Sequence, residues 1–91
     1  MTIKSLSLYH YDSCPYCART RHAIDKLNAN VELRNIHLEP THSVDLLAYG
    51  GKLQVPCLLI EDEDGKKEWL YESNDIIYFL NIHADTQKQV A

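Results

Sequence analysis

The sequence is poor in the residues that cross-link a secreted domain or interrupt regular structure. It contains only 3 cysteines, 3 glycines and 3 prolines. Three cysteines cannot all pair within one chain, which argues against a disulfide-stapled secreted domain. No apolar run approaches the roughly 20 residues needed to span a bilayer, and residues 1–8 lack the sustained apolar stretch of a secretory signal. We therefore expect a cytoplasmic protein that does not associate with membranes.

Positive charge is also scarce. The chain has 9 lysines and arginines against 13 acidic residues, a formal net charge of −4. A protein that binds nucleic acid through its phosphates needs a basic surface, so this partner class is not expected. A chain of 91 residues can bury one modest core and no second one. The composition therefore predicts one small domain, which we expect to be monomeric.

The pattern of apolar residues predicts the element order β-α-β-α-β-β-α. A strand, a helix and a strand in succession form a parallel unit, because parallel strands need such a crossover. The acidic turn at 61–66 joins an antiparallel pair. The fold is therefore predicted as α/β, with a mixed four-stranded sheet flanked by helices, in a domain 1–83 followed by a polar, loose C-terminal tail at 84–91. The predicted strands are 3–11, 31–38, 55–60 and 67–71. The first predicted helix is 15–28. A short second helix is predicted to be capped by Thr41 or Ser43 and to run through Ala48, and a last helix to be capped by Ser73.

The residues that carry chemistry form the tetrapeptide Cys14-Pro15-Tyr16-Cys17, at the junction of the first strand and the first helix. Pro15 is suited to the first helical position, where its missing N–H has no cost. Cys14 then faces the unpaired N–H groups of the helix N-terminus, which favour its thiolate, the nucleophilic form. Half of a zinc site is the other interpretation, but a structural site needs four ligands. Cys57 and the five scattered histidines form no second pair, so we expect a redox dithiol and no metal.

At these residues the chain resembles the dithiol glutaredoxins of the thioredoxin-like fold, over the predicted domain 1–83. The tetrapeptide 14–17 is typical of that family, and Gln54-Val55-Pro56 is similar to the segment that holds its cis-proline. Glu72-Ser73 is similar to the glutathione-binding step of glutathione-transferase N-terminal domains and of the transferase-like bacterial glutaredoxins. Members of that bacterial subgroup normally carry a further all-helical domain, which this chain is expected to lack.

The resemblance implies a glutathione-dependent thiol–disulfide oxidoreductase that serves cell redox homeostasis. Its substrates would be disulfide-containing or glutathionylated proteins, with glutathione as co-substrate and no permanently bound cofactor. Cys14 would attack, and Cys17 would resolve protein mixed disulfides. Cys14 is expected to be exposed, and Cys17 to lie one turn inward and stay protonated. The implied glutathione-binding residues are Tyr16, Gln54, Val55, Pro56, Glu72 and Ser73, with Gln54 or Lys52 at the glycyl carboxylate.

One position departs from the family pattern. Many glutaredoxins have a lysine three residues before the first cysteine, where this chain has Tyr11. The N–H groups of the helix must then stabilise more of the thiolate charge, with help expected from His10 or Arg19.

Other interpretations remain open at this point. Cys57 is either a buried inert thiol or a second redox thiol. The chain as a whole is either an oxidoreductase, a transferase-type module that only binds glutathione, or a redoxin recharged by thioredoxin reductase.

Overall fold

The computed structural model describes the backbone of residues 3–90 and the side chains of residues 3–83. Its sheet has the strand order β2-β1-β3-β4. β1 and β2 are parallel, and the other two neighbouring pairs are antiparallel. This is the predicted thioredoxin-like α/β fold, with the predicted element order. The strands are β1 Ile3–His10, β2 Glu32–Asn35, β3 Cys57–Asp62 and β4 Lys67–Tyr71.

Three helices complete the fold: α1 Pro15–Leu27, α2 Pro40–Asp45 and α3 Ser73–Val90. A π-helical turn, Leu46–Gly50, extends α2. The predicted caps of α2 are wrong, because the helix begins at Pro40, with Glu39 as its N-cap. Proline fixes the φ angle that the first helical position needs, so it starts this helix ahead of the polar residues.

The last helix is longer than predicted. Its backbone is helical as far as Val90, through positions that the sequence analysis assigned to a loose tail. No glycine or proline follows Ser73 in the sequence, so nothing in this stretch stops the helix. The backbone of this tail is therefore helical, while its looseness and the domain boundary after residue 83 stay predictions.

β2 and β3 differ from their predicted bounds for local reasons. β2 stops at Asn35 because the Asn35 side-chain oxygen accepts hydrogen bonds from the N–H groups of His37 and Leu38, at 2.9 and 3.1 Å, and turns the chain. β3 begins only at Cys57, because Pro56 has no N–H to donate to a neighbouring strand.

The core lies on both faces of the sheet, since successive strand residues point to opposite sides. Leu8 of β1 belongs to the face that packs against α1 and α3, and Tyr9 belongs to the other face. The first cluster consists of Leu6, Leu8, Ile24, Leu58, Ile60, Ile76 and Leu80. The second consists of Tyr9, Ile36, Leu46, Cys57 and Leu59. Burial of both faces fixes the register of the strands, and the register fixes which loops meet.

Candidate active site

Strand register brings three sequence-distant segments to one edge of the sheet. Tyr9, near the end of β1, pairs with Cys57 at the start of β3. Cys57 in turn pairs with Tyr71 at the end of β4. The chain that follows β1, the chain that precedes β3 and the chain that follows β4 therefore leave the sheet side by side. These segments carry the dithiol, Val55-Pro56 and Glu72-Ser73, and the Val55–Pro56 bond is cis, as the family resemblance implied.

Cys14 lies at the N-terminus of α1, as predicted. It is the N-cap residue, with extended backbone angles, and Pro15 occupies the first turn. The Cys14 sulfur accepts a hydrogen bond from the Cys17 backbone N–H at 3.3 Å. One otherwise unpaired N–H group of the helix is thereby directed at the sulfur, an arrangement that favours negative charge there.

The exposure predicted for Cys14 is wrong. The residue is 5% exposed, because its side chain folds back over the first turn of α1 to accept the Cys17 N–H. Cys17 is fully buried, as expected for the inward thiol. Burial, and then the hydrogen bond to Cys14, raise the pKa of Cys17 from 9.0 to about 12. Cys17 is therefore a neutral thiol at physiological pH, as predicted.

Arg21 is the cation that holds the loop before the dithiol, and the sequence analysis missed it. Its guanidinium contacts His10 Nδ1 at 3.0 Å and donates to the carbonyls of Tyr11 and Asp12, at 3.3 and 3.5 Å. Burial, and then the Arg21 charge, lower the pKa of His10, so His10 does not supply the positive charge expected of it. The spacing could have identified Arg21, because it lies four residues after Cys17 and therefore on the same helix face as the dithiol.

A cavity of about 430 Å³ lies beside the dithiol, between α1, the cis-proline segment and the start of α3. We call it the α1–α3 pocket. Lys52 is not among its lining residues, since the Lys52 ammonium lies 4.7 Å from the centre of the Tyr71 ring. Two of its lining residues, Arg19 and Asn74, were not predicted to bind glutathione. The other lining residues are the six that were: Tyr16, Gln54, Val55, Pro56, Glu72 and Ser73.

The start of α3 forms the polar end of this pocket. The first hydrogen bond of the helix runs from the Ile76 N–H to the Glu72 carbonyl, at 3.0 Å. Ser73 is therefore the first helical residue and not the cap that was predicted. Ser73 is 8% exposed, and among residues 3–83 its hydroxyl has no hydrogen-bond partner. The free N–H groups of the helix and this hydroxyl together suit an anion.

Glu72 connects the two sides of the pocket. Its φ of 74° lies in the left-handed region, which non-glycine residues rarely adopt. Its carboxylate accepts a hydrogen bond from the Gln54 side-chain amide, at 3.4 Å. Strained backbone of this kind is concentrated at functional sites, where the surrounding structure holds it in place.

Cys57 lies in the second core cluster and is fully buried. Burial raises its pKa from 9.0 to about 12. This environment supports the interpretation of Cys57 as an inert core residue.

The described residues contain no group of three or more histidine, cysteine or acidic side chains arranged to hold a metal ion. Within the same part of the chain, no helix is long and apolar enough to cross a membrane.

Solved structures share this fold. Maleylacetoacetate isomerase from Anaeromyxobacter dehalogenans 2CP-1, with glutathione bound in its active site, is 25% identical, with a TM-score of 0.68 over 92% of this chain and 39% of its own. Glutathione transferase Omega 2C from Trametes versicolor is 18% identical, with a TM-score of 0.72 over 91% of this chain and 40% of the transferase. A glutathione transferase homologue from Sulfitobacter, with bound glutathione, is 20% identical, with a TM-score of 0.67 over 90% and 38%.

The chain thus spans about two fifths of the length of these proteins. Comparison with curated proteins gave no match. Residues 8–88 match the family described as the glutathione S-transferase N-terminal domain. The protein with this dithiol and this pocket therefore belongs to the glutathione S-transferase N-terminal domain family.

Proposed function

We propose that the chain is a glutathione-dependent thiol–disulfide oxidoreductase of the dithiol glutaredoxin type. The observation that carries the proposal is the placement of two helix N-termini at one edge of the sheet. The N-terminus of α1 holds Cys14, whose sulfur accepts the Cys17 N–H at 3.3 Å. The N-terminus of α3 opens into the adjacent pocket. A ligand with a thiol at its centre and a carboxylate at its end matches both.

Glutathione matches the polar groups of the pocket. Its γ-glutamyl carboxylate would bind the free N–H groups of α3 and the Ser73 hydroxyl. Glu72 would attract the neighbouring ammonium, and Tyr16 would pack along the peptide. Val55 would pair with the cysteinyl amide through its backbone, as an added strand does. Gln54, which donates to the Glu72 carboxylate at 3.4 Å, would hold that carboxylate beside the ammonium rather than bind the glycyl carboxylate at the other end of the tripeptide. Pro56 would shape the wall between the pocket and the dithiol.

The proposed reaction on a glutathionylated substrate has two exchange steps. The Cys14 thiolate attacks the glutathione sulfur of the mixed disulfide. The substrate leaves as a thiolate and takes a proton, and a Cys14–glutathione disulfide forms. A second glutathione thiolate then attacks the glutathione sulfur of this disulfide, which releases oxidised glutathione and restores the Cys14 thiolate. Two electrons pass from glutathione to the substrate.

A protein disulfide follows a different second step, in which Cys17 acts. Cys14 first forms a mixed disulfide with the substrate. Cys17 then attacks the Cys14 sulfur, which closes a Cys14–Cys17 disulfide and expels the substrate sulfur as a thiolate. The Cys17 proton passes to this thiolate. Two molecules of glutathione reopen that disulfide. Because burial raises its pKa to about 12, Cys17 is protonated in the reduced protein.

Two other functions compete with this proposal. A module that only binds glutathione has no need of a second thiol in contact with Cys14, and Cys17 makes that contact. A redoxin recharged by thioredoxin reductase has no use for the α3 end of the pocket. Reduction of a glutathione mixed disulfide, with glutathione and glutathione reductase or with thioredoxin reductase as the electron source, separates all three functions.

The Ser73→Ala variant tests glutathione recognition away from the sulfur. We expect its affinity for glutathione to fall about tenfold, because a hydrogen bond to a charged group contributes roughly 1.5–3 kcal/mol and water replaces part of it. The measurements are the apparent KM for glutathione and the rate at which dithiothreitol reduces the oxidised protein, which should not change.

Ser43→Ala is the matched control for Ser73→Ala. Ser43 also lies in the first turns of a helix, but its hydroxyl donates to the Pro40 carbonyl, at 2.8 Å, outside the pocket. An unchanged KM in Ser73→Ala would place the tripeptide elsewhere and favour recharging by thioredoxin reductase.

A further inference from the structure

Arg19 is a cation in the α1–α3 pocket that no carboxylate of residues 3–83 neutralises. Of the residues lining the pocket, Arg19 and Glu72 carry the charges. Between the side chains of residues 3–83, the recorded ion pairs are Arg34 with Glu32 and Lys67 with Glu61. Arg19 is also the one basic residue among those that line this pocket.

The exposed Arg19 guanidinium is hydrogen-bonded to a neutral group. One of its terminal nitrogens donates to the side-chain oxygen of Asn74, at 2.6 Å. An amide oxygen orients the guanidinium without cancelling its charge. A guanidinium has five N–H donors in a planar fork, so further donors remain for a carboxylate.

The position of Asn74 places this cation at a particular end of the pocket. Asn74 directly follows Ser73, whose hydroxyl has no partner in the described part of the chain and whose side chain is 8% exposed. The unpartnered hydroxyl, the first N–H groups of α3 and the guanidinium therefore belong to one end of the cavity. Glu72, on the other side of Ser73, adds a negative charge beside them. An adjacent carboxylate and ammonium, as in an α-amino acid, complement this arrangement.

We propose that Arg19 is a specificity-determining residue, which donates hydrogen bonds to the γ-glutamyl carboxylate of glutathione while Asn74 holds the guanidinium in position. The inference rests on the proposed function, because it assigns part of the glutathione to part of the pocket. It gives this carboxylate a cation in addition to the helix N-terminus and Ser73.

The test compares three thiols: glutathione, γ-glutamylcysteine and cysteinylglycine, the last of which lacks the γ-glutamyl group. Dissociation constants are measured by NMR titration of the whole chain, and KM values with the corresponding mixed disulfides. In Arg19→Gln, we expect both constants to rise about tenfold or more for glutathione and γ-glutamylcysteine and to stay unchanged for cysteinylglycine. Lys26→Gln is the matched control, since it removes the same charge from α1 at a residue that does not line the pocket.

A second variant separates ligand binding from helix packing. Asn74→Asp places a carboxylate against the guanidinium. If the contact between Arg19 and residue 74 only packs α1 against α3, this change strengthens the contact and leaves the affinity for glutathione unchanged. If Arg19 binds the ligand, the same change neutralises it and weakens glutathione binding. The loss should be smaller when Asn74→Asp is made in the Arg19→Gln background, and equal losses in both backgrounds would overturn the proposal.

The outcomes distinguish this inference from the proposed function. Wild-type affinity for glutathione in Arg19→Gln, or an equal loss for cysteinylglycine, overturns the role of Arg19 and leaves the redox proposal intact. A wild-type protein that binds glutathione without turnover overturns the redox proposal, and the dissociation constants still test Arg19. A wild-type protein that neither binds nor uses glutathione overturns both.

Discussion

A Cys14→Ser variant is expected to lose all thiol–disulfide exchange, whereas a Cys17→Ser variant should keep the deglutathionylation of small mixed disulfides. The two thiols differ because only Cys14 is the N-cap of a helix and accepts the Cys17 N–H. Cys17 is needed only where a second thiol must expel a bound protein, so its variant should lose most reduction of protein disulfides. Initial rates with a small glutathione mixed disulfide and with a protein disulfide measure the two activities separately.

Cys57→Ser is the control for these two variants, because Cys57 is buried among core residues. It should keep both activities in the fraction of protein that folds. Equal loss of both activities in Cys17→Ser would contradict the division of labour between the two cysteines. Strong loss in a folded Cys57→Ser variant would reveal a redox role for the third thiol.

Alkylation at neutral pH should distinguish Cys14 from the other two cysteines. Burial raises the pKa values of Cys17 and Cys57 from 9.0 to about 12. The thiolate is the reactive form, so both should react far more slowly in the folded protein than in the unfolded chain. Cys14 should react first, as the thiol at the helix N-terminus. Mass spectrometry of peptides after timed labelling measures each site.

The free energy of unfolding of the reduced protein should fall as the pH rises through the alkaline range. As pH rises above about 9, the unfolded chain releases the two thiol protons that the folded protein retains until about pH 12. The unfolded state then binds fewer protons, so the free energy of unfolding of the reduced protein should fall across this interval.

In the alkylation experiment, labelling of all three cysteines at similar rates in the folded protein would contradict this account of the dithiol.

Much of the fold could be predicted because local pattern and tertiary packing agree. The alternation in β1 and the apolar run in β3 predict strands, and both strands are buried in the sheet. Lys67–Tyr71 is a strand with the predicted bounds. Pro15 begins α1 as expected. The six residues predicted to bind glutathione line one pocket, since the order of the elements already determines which loops meet at one edge of the sheet.

The remaining features depend on side-chain geometry, which no periodicity contains. The burial of Cys14 follows from the rotation of its side chain toward the Cys17 N–H. Arg19 and Arg21 are both on α1, two residues apart, and point to different partners, Asn74 and His10. The spacing from Cys17 places Arg21 on the helix face that meets the loop, but nothing in the sequence pairs Arg19 with Asn74 of α3. A proline at position 40 outweighed the polar residues that were expected to start α2.

Reduction of a glutathione mixed disulfide by the wild-type chain, with glutathione and glutathione reductase as the electron source, tests the central claim most directly. We predict turnover that saturates with glutathione, is absent in Cys14→Ser and is not supported when thioredoxin reductase replaces the glutathione system. Saturable binding of glutathione without turnover, or turnover supported only by thioredoxin reductase, would contradict the proposed function.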